Sequence, residues 1–254
     1  MQFNASFKKE WLEVTRTFRI LAFILVFMAF ALIDPAMMMV IPKLMEVLQT
    51  AGAGDLASIF KSDQMVALQS FVGDALQVGI LVLLLGMMRA AGGDQKKRTC
   101  IIPICSGMRR DTYVLAKFAL YPILAAVCSF AAYLLAYGWS CILFKPMLSI
   151  GEILLPACAM AIFVFFNACL MLFIGISTGK AGISVVIVFA MNMLAQLLLT
   201  PLKLNHYNPY ALMSLAADFQ ANALDFLISG AVTLLVCGIL LALTTAAFRQ
   251  KKLL

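Results

Sequence analysis

Charged residues are scarce in this sequence. Only 12% of its 254 residues are charged and 64% are hydrophobic, whereas a soluble domain is about a quarter charged and about half apolar. This composition excludes a water-soluble globule. Six charge-poor stretches are visible, and at about 20 residues per membrane-spanning helix they would use about half of the chain. The sequence therefore predicts an all-α, polytopic membrane protein.

Histidine is nearly absent. The single histidine, His206, lies in a predicted outer loop, which excludes a multi-histidine metal centre and an intramembrane protease or transferase that depends on histidine. No predicted span pairs a serine with a lysine or histidine that could activate its hydroxyl. These absences argue against a membrane enzyme, and no catalytic or metal-binding residue is predicted.

A phosphate-binding loop is also missing. The stretch 175–181 (GISTGKA) looks like one, but three residues separate its glycines where the motif has four, and Ala181 follows Lys180 where the motif has Ser or Thr. We expect no nucleotide or other cofactor in this chain. If nucleotide hydrolysis drives the protein, a separate polypeptide supplies the site.

The seven cysteines show no paired metal-ligand spacing, and five of them fall inside apolar runs. We interpret them as small packing residues without a disulfide framework. The net charge of +7 forms no single basic patch, which argues against a nucleic-acid partner. The basic residues stand in short segments between apolar runs, a pattern that reports membrane topology.

The sequence divides into an N-terminal helix and six spans. An aromatic and apolar stripe recurs at intervals of three and four residues, as on one face of a helix, and consists of Phe3, Phe7, Trp11, Val14 and Phe18. Residues 1–19 therefore fit an interfacial helix in the headgroup layer; a solvated N-terminal helix is the alternative. Residues 20–254 are the predicted six-helix transmembrane domain, whose spans lie near 18–40, 65–88, 113–144, 153–177, 181–202 and 226–248.

Lysine and arginine are shared unevenly between alternate loops. By direct count, the N-terminal segment, loop 89–112, the turn at Lys180 and the C-terminal tail hold fourteen, and the other three loops hold four. The positive-inside rule then places both termini and loop 89–112 in the cytoplasm. An even number of spans agrees with this orientation.

Loop 89–112 is the most informative segment, since it holds six of the basic residues. It also carries an apolar patch, 100–105, on a predicted cytoplasmic loop that the bilayer does not cover. Exposed apolar surface rimmed by charge is typical of a partner site. The alternative is a basic loop that rests on anionic lipid.

The same loop resembles the coupling segment in permease subunits of type 2 ABC exporters. Those subunits begin with an interfacial elbow helix, have six spans, and place between the second and third an acidic residue, Gly-Thr, apolar residues, Pro or Gly, Ser-Arg and finally Lys. The corresponding positions here are Asp94, Thr99, Ile101, Ile102, Ile104, Gly107, Arg109 and Lys117. Arg98 stands where the family commonly has glycine, and Pro103 comes earlier than the usual proline. The stretch 205–210 (NHYNPY) resembles the family's re-entrant segment, and the basic tail 249–252 also fits.

The resemblance implies a multi-pass subunit of a bacterial plasma membrane. It would pair with a second permease copy or a sister permease, and with a cytoplasmic ABC ATPase that holds ATP and Mg. The ATPase would push loop 89–112, tilt the spans and move a hydrophobic, peptide or lipid-like substrate outward. The residues that the resemblance assigns to ATPase coupling are Asp94, Gln95, Lys97, Arg98, Thr99, Ile101, Ile102, Ile104, Gly107 and Arg109.

Polar residues inside the spans are candidates for a translocation pathway, because such residues are costly in hydrocarbon. The candidates are Asp74, Asn167, Asn192 and Gln196. Asp74 fits a cavity-lining or cation-binding residue, and a protonated or hydrogen-bonded structural role is the alternative. The three amides also fit hydrogen bonds between helices. Asp34, which precedes Pro35 near the outer end of the first span, is interpreted as shaping the exit of that helix.

Two other classes of function stay open. An ATP-independent, ion-coupled carrier or channel would need intramembrane carboxylates or broken helices in corresponding positions of two halves, and the sequence offers one buried aspartate for this. A membrane anchor subunit that transports nothing is the other class.

Overall fold

The computed structural model describes residues 2–16, 19–49, 63–96, 99, 101, 105, 107–202, 208–220 and 222–250. These residues form helices joined by turns, and no strand occurs among them. The predicted all-α fold is confirmed for this part of the chain.

Eight helices of six or more described residues are named α1 to α8 in chain order. Their bounds are Gln2–Arg16, Arg19–Gln49, Gln64–Gly93, Arg110–Leu143, Ile150–Thr178, Ala181–Leu202, Ala211–Ala216 and Ala223–Gln250. Helix α3 contains two π-helical turns, Ala75–Gly79 and Arg89–Gly93. A short helical turn, Asp94–Lys96, continues it.

Among the described residues, five helices are long and apolar enough to cross a membrane. The candidate spans are Ala22–Ile41, Gln64–Gly93, Arg110–Leu143, Ile150–Thr178 and Ala223–Gln250. Helix α6 adds a shorter apolar stretch, Ala181–Gln196. Several apolar helices of this length fit a membrane-embedded protein. The second span is longer than the predicted 65–88, because the π-helical turn after Met88 continues the helix to Gly93.

Helix α5 lies at the centre of the bundle and is the most buried of the five candidate spans. It packs against α4, α8, α7 and α6, while α2 packs on α4 and α3. The turn from α5 to α6 is short, as predicted. Gly179 ends α5 in the left-handed conformation with φ 72°, a geometry that glycine adopts at no steric cost.

The basic segments meet at one end of the bundle. Helix α1 packs on α4, the last turn of α3 packs on α5 and α6, and α8 packs on α4. At that end Arg110 donates through Nη1 to the carbonyl of Arg249 at 2.8 Å. The structure thus gathers at one end the segments that the count of Lys and Arg assigns to one side of the membrane.

Candidate functional site

A buried lysine lies at the centre of the candidate site. Lys117, two turns into α4, is 1% exposed. Its ammonium donates to Asp94 Oδ2 at 2.6 Å and to the carbonyl of Ala90 at 3.1 Å, and lies 3.5 Å from Glu10 Oε2. One side chain therefore joins three segments: α1, the end of α3, and α4.

Two tyrosines complete this contact, because residues 113, 117 and 121 recur every four positions and share one face of α4. The hydroxyl of Tyr113 donates to Asp94 Oδ2 at 3.1 Å, and that of Tyr121 donates to Glu10 Oε2 at 3.4 Å. The Lys117 ammonium also lies 4.9 Å from the centre of the Tyr113 ring, within the range of a cation–π contact. Both buried carboxylates thus receive a hydroxyl donor as well as a positive charge.

Three further charged residues surround this centre. Arg89 Nε lies 3.1 Å from Glu13 and 3.8 Å from Asp94, and Lys9 lies 3.4 Å from Glu10. We call the whole set the charge cluster: Lys9, Glu10, Glu13, Arg89, Asp94, Tyr113, Lys117 and Tyr121.

The carboxylates of the charge cluster are close enough to hold a metal ion, since one oxygen from each of Glu10, Glu13 and Asp94 lies within 4.8 Å of the others. However, three carboxylates stand beside three positive side chains of the same chain, so the formal charges already balance. The chemistry of the arrangement is that of a buried ion-pair network rather than an open cation site.

Asp94 is ionised in this network. Burial raises the pKa of its carboxyl, but the positive charge of Lys117 and the hydrogen bonds from Lys117 and Tyr113 together hold that pKa below its ordinary value. A buried ion pair of this kind adds little net stability by itself, but removing one partner leaves an uncompensated buried charge, at a cost of about 3–5 kcal/mol.

The charge cluster also anchors the first part of loop 89–112. The Thr99 amide donates to the carbonyl of Asp94 at 3.0 Å, and the Thr99 hydroxyl lies 3.4 Å from Asp94 Oδ1. Gln95 donates through Nε2 to the carbonyl of Ile176 at 3.0 Å. The start of the loop is therefore tied both to α4 and to the end of α5.

Two glycines allow α3 to approach the α5–α6 turn this closely. A Cβ at Gly92 would lie 3.0 Å from the Ala181 nitrogen, and one at Gly175 would lie 2.5 Å from the Cβ of Ala91. Any larger residue at these positions would push the two segments apart.

The far end of loop 89–112 is tied to the last turn of α8. Arg249 donates through Nε to Asp111 Oδ1 at 2.6 Å and through Nη2 to Oδ2 at 2.5 Å. The rings of Tyr113 and Phe248 stack 5.7 Å apart beneath this pair. Both ends of the loop thus begin from fixed positions on the bundle.

The predicted coupling residues divide into three groups. Asp94, Gln95 and Thr99 are the anchoring residues just described. Ile101 packs partly buried against the core, whereas Arg109 and Gly107 are exposed, and Gly107 has a φ of 91° that favours glycine. The remaining four, Lys97, Arg98, Ile102 and Ile104, lie outside the described residues, so their predicted role stays a prediction.

The predicted pathway residues are not brought together into one site. Asn192 donates to Asn167 Oδ1 at 2.6 Å, which joins α6 to α5, and Gln196 contacts the sulfur of Met213 at 3.3 Å. Asp74 is exposed on the surface of the described chain. The amides have the contacts expected of residues that join helices.

The sequence reasoning missed several of these residues. Glu10 does not stand out in the sequence as a site residue, yet it is fully buried. The sequence analysis did not name Tyr113 or Tyr121. Each lies four residues from Lys117, and this spacing places three polar side chains on one face of an otherwise apolar helix. That spacing is a signal that the sequence does contain.

Comparisons with protein-family models, with curated proteins and with solved structures found no match for this chain.

Proposed function

We propose that this chain is the membrane permease subunit of an ATP-driven exporter. In this proposal α1 is an interfacial helix, and α2, α3, α4, α5, α6 and α8 are the six spans. A separate cytoplasmic ABC ATPase binds ATP and Mg, docks on loop 89–112, and drives a hydrophobic, peptide or lipid-like substrate outward. A second permease copy or a sister permease completes the transporter in a bacterial plasma membrane, with both termini cytoplasmic.

The observation that carries the proposal is the charge cluster. The two positions at opposite ends of the resemblance, Asp94 and Lys117, are in direct contact, and Glu10 joins them to α1. A displacement of loop 89–112 would therefore act on α3, α4 and α1 as one unit, because these helices share a buried ion network. A basic loop that only rests on anionic lipid would not need to be joined to three helices by buried ion pairs.

The side chains of α1 support an interfacial position for this helix. Val14 is fully buried, whereas Phe3 and Trp11 are 42% and 43% exposed. One edge of the apolar stripe thus packs on the bundle and another edge is free to enter the headgroup layer. The pairing of Lys117 with Glu10 fixes the helix in that position.

Accessibility of Cys105 tests the orientation. This residue is exposed in the described part of loop 89–112. In a variant that keeps Cys105 and replaces the other six cysteines with alanine, a membrane-impermeant maleimide should label inside-out vesicles and leave right-side-out vesicles unlabelled. Labelling of right-side-out vesicles alone would place the loop on the wrong face for an ATPase and refute the proposal.

Co-purification tests the partner. The chain should be isolated from its native membranes together with a polypeptide that contains a phosphate loop and hydrolyses ATP. Because Arg109 is exposed on the loop, Arg109→Glu should reduce the amount of that ATPase about tenfold or more. Met147→Glu, at an exposed position just beyond the opposite end of α4, is the matched control and should retain it.

The same preparation distinguishes the other two classes. ATP hydrolysis that requires this chain and rises with substrate supports the exporter. Ion flux in vesicles without nucleotide would instead favour the carrier or channel, and the absence of both activities would favour an anchor subunit.

A further inference from the structure

The two faces of α1 carry charges of opposite sign. Its two carboxylates lie on the face that packs on the bundle: Glu10 is 0% exposed, and the side chain of Glu13 is 18% exposed. Lys8 and Arg16 are exposed on the other face. These residues follow one another in the sequence without an order of sign, so it is the packing of α1 on the bundle that separates the charges.

The carboxylates of α1 are neutralised inside the bundle. Glu10 pairs with Lys117 and Lys9, and Glu13 pairs with Arg89. Their negative charge is therefore already matched by buried or half-buried partners, and it does not offset the charges on the other side of the helix. The exposed face of the described helix Gln2–Arg16 is thus basic, with no acidic residue of α1 on it.

Large apolar side chains accompany the two basic ones. Residues 8, 12 and 16 recur every four positions, which places Leu12 between Lys8 and Arg16 on one face. Leu12 is 41% exposed, and the neighbouring Trp11 is 43% exposed. Tryptophan is enriched where lipid headgroups meet hydrocarbon, and basic side chains beside apolar ones are typical of a helix that lies at that boundary.

The contacts of α1 hold it level with the ends of three candidate spans. Its partners include Arg89, in the last turns of α3, and Lys117, two turns into α4. The first candidate span begins at Ala22, six residues after Arg16, and six residues reach about 20 Å at most. The exposed face of α1 is therefore close to the surface of a membrane that these spans cross.

The chemistry of the exposed face selects the headgroup. Ammonium and guanidinium groups bind phosphate oxygens through charge-assisted hydrogen bonds, and a guanidinium does so with two bonds at once. Lys8 and Arg16 are eight residues apart, which is about 12 Å along the helix axis, far enough for each to contact a different lipid. A zwitterionic headgroup offsets its own phosphate with an ammonium, so a lipid with net negative charge fits this face better.

We propose that the exposed face of α1, formed by Lys8, Trp11, Leu12 and Arg16, binds the headgroups of anionic phospholipids. The inference rests on the interfacial position that the proposed function gives to α1, and it does not depend on the ATPase. Because the opposite face of α1 is joined to α3 and α4 through the charge cluster, bound lipid would hold the base of loop 89–112 at the membrane surface.

Quenching of Trp11 fluorescence by brominated lipids tests the inference. The chain has two tryptophans, so Trp139→Phe leaves Trp11 as the only one. The full chain with this substitution is reconstituted in phosphatidylcholine that contains a minor, varied fraction of brominated phosphatidylglycerol or brominated phosphatidylcholine. A basic residue near an anionic surface favours contact about fivefold. Half-maximal quenching should therefore need about one fifth or less as much of the brominated anionic lipid.

Two variants locate the binding face. Lys8→Gln together with Arg16→Gln should make the two brominated lipids equally effective. Lys145→Gln, at an exposed position just beyond the opposite end of α4, is the matched control and should keep the preference. Native mass spectrometry gives a second measurement without Trp139→Phe: the wild-type chain released from mixed bilayers should retain phosphatidylglycerol, and the double variant should retain several-fold less.

Three results would overturn the inference. Equal quenching of the chain by the two brominated lipids would keep α1 at the interface but remove its preference for anionic lipid. A preference that persists in the double variant would assign the anionic lipid to another surface. Quenching by neither lipid would place Trp11 outside the bilayer, overturn the interfacial position of α1 as well, and leave this face to a protein partner.

Discussion

Replacement of Lys117 by methionine isolates the role of the buried ammonium. Methionine keeps an unbranched apolar stem in the same space and removes the positive charge. Glu10 and Asp94, 0% and 4% exposed, would then lose the donor that lies 3.5 Å and 2.6 Å from them. We expect Lys117→Met to detach α1 from α4 and to destabilise the whole bundle.

The magnitude follows from the burial of the remaining carboxylates. Removing one partner of a buried ion pair costs about 3–5 kcal/mol, whereas an exposed ion pair contributes about 0–1 kcal/mol. The free energy of unfolding can be measured by titration with dodecyl sulfate in mixed micelles, followed by the fluorescence of Trp11 in α1 and Trp139 in α4. The Trp11 signal should change at lower dodecyl sulfate in the variant than in the wild type.

The matched control is Lys145→Met, at an exposed position just beyond α4, which should change the free energy of unfolding by no more than about 0.5 kcal/mol. Adding Asp94→Asn to Lys117→Met should recover part of the loss, because the amide leaves no negative charge at that position. If Lys117→Met unfolds within about 0.5 kcal/mol of the wild type, the charge cluster does not hold α1 to the bundle and the reasoning is wrong.

The remaining predictions concern packing and pH. Gly175→Ala places a Cβ 2.5 Å from that of Ala91 and should lower the free energy of unfolding by about 1–3 kcal/mol in the same titration. Gly138 has open space around it, so Gly138→Ala should leave the free energy of unfolding unchanged or raise it by up to about 1 kcal/mol. The pKa of Asp94 is lower in the folded chain than in the unfolded one. The ionised carboxylate therefore stabilises the fold at pH values above the ordinary aspartate pKa of about 3.9. This stabilisation is lost as the pH falls through the lower pKa of the folded chain. Unfolding curves of Asp94→Asn should therefore depend less on pH in this acidic range than those of the wild type, and an equal dependence would contradict the assignment. Ile101→Glu should weaken ATPase retention while the unfolding curve shows whether the bundle stays folded, and retention at the wild-type level would argue against docking at this position.

The helical fold could be predicted from the sequence because hydropathy acts locally. Each span needs only a run of apolar residues of membrane length, and such runs are visible without any knowledge of contacts. Helix ends were less certain. The second span continues past Met88 because Arg89 lies on a π-helical turn facing Glu13, and that partner lies in another helix.

The candidate site could be predicted only in part, for the same reason. Asp94 and Lys117 were singled out through the resemblance, but their contact depends on how α3 returns beside α4. Glu10 is 107 positions before Lys117 in the chain, and no sequence signal fixes the register between their two helices.

The anchoring of loop 89–112 at both ends has a consequence for how such a protein can change over evolution. Asp94 and Thr99 secure one end, and Asp111 with Arg249 secures the other. The stretch 102–106 contains none of these four anchoring residues, so it can be exchanged for another sequence as a cassette. A lineage could in this way acquire a new cytoplasmic partner without first rebuilding the helices that cross the bilayer.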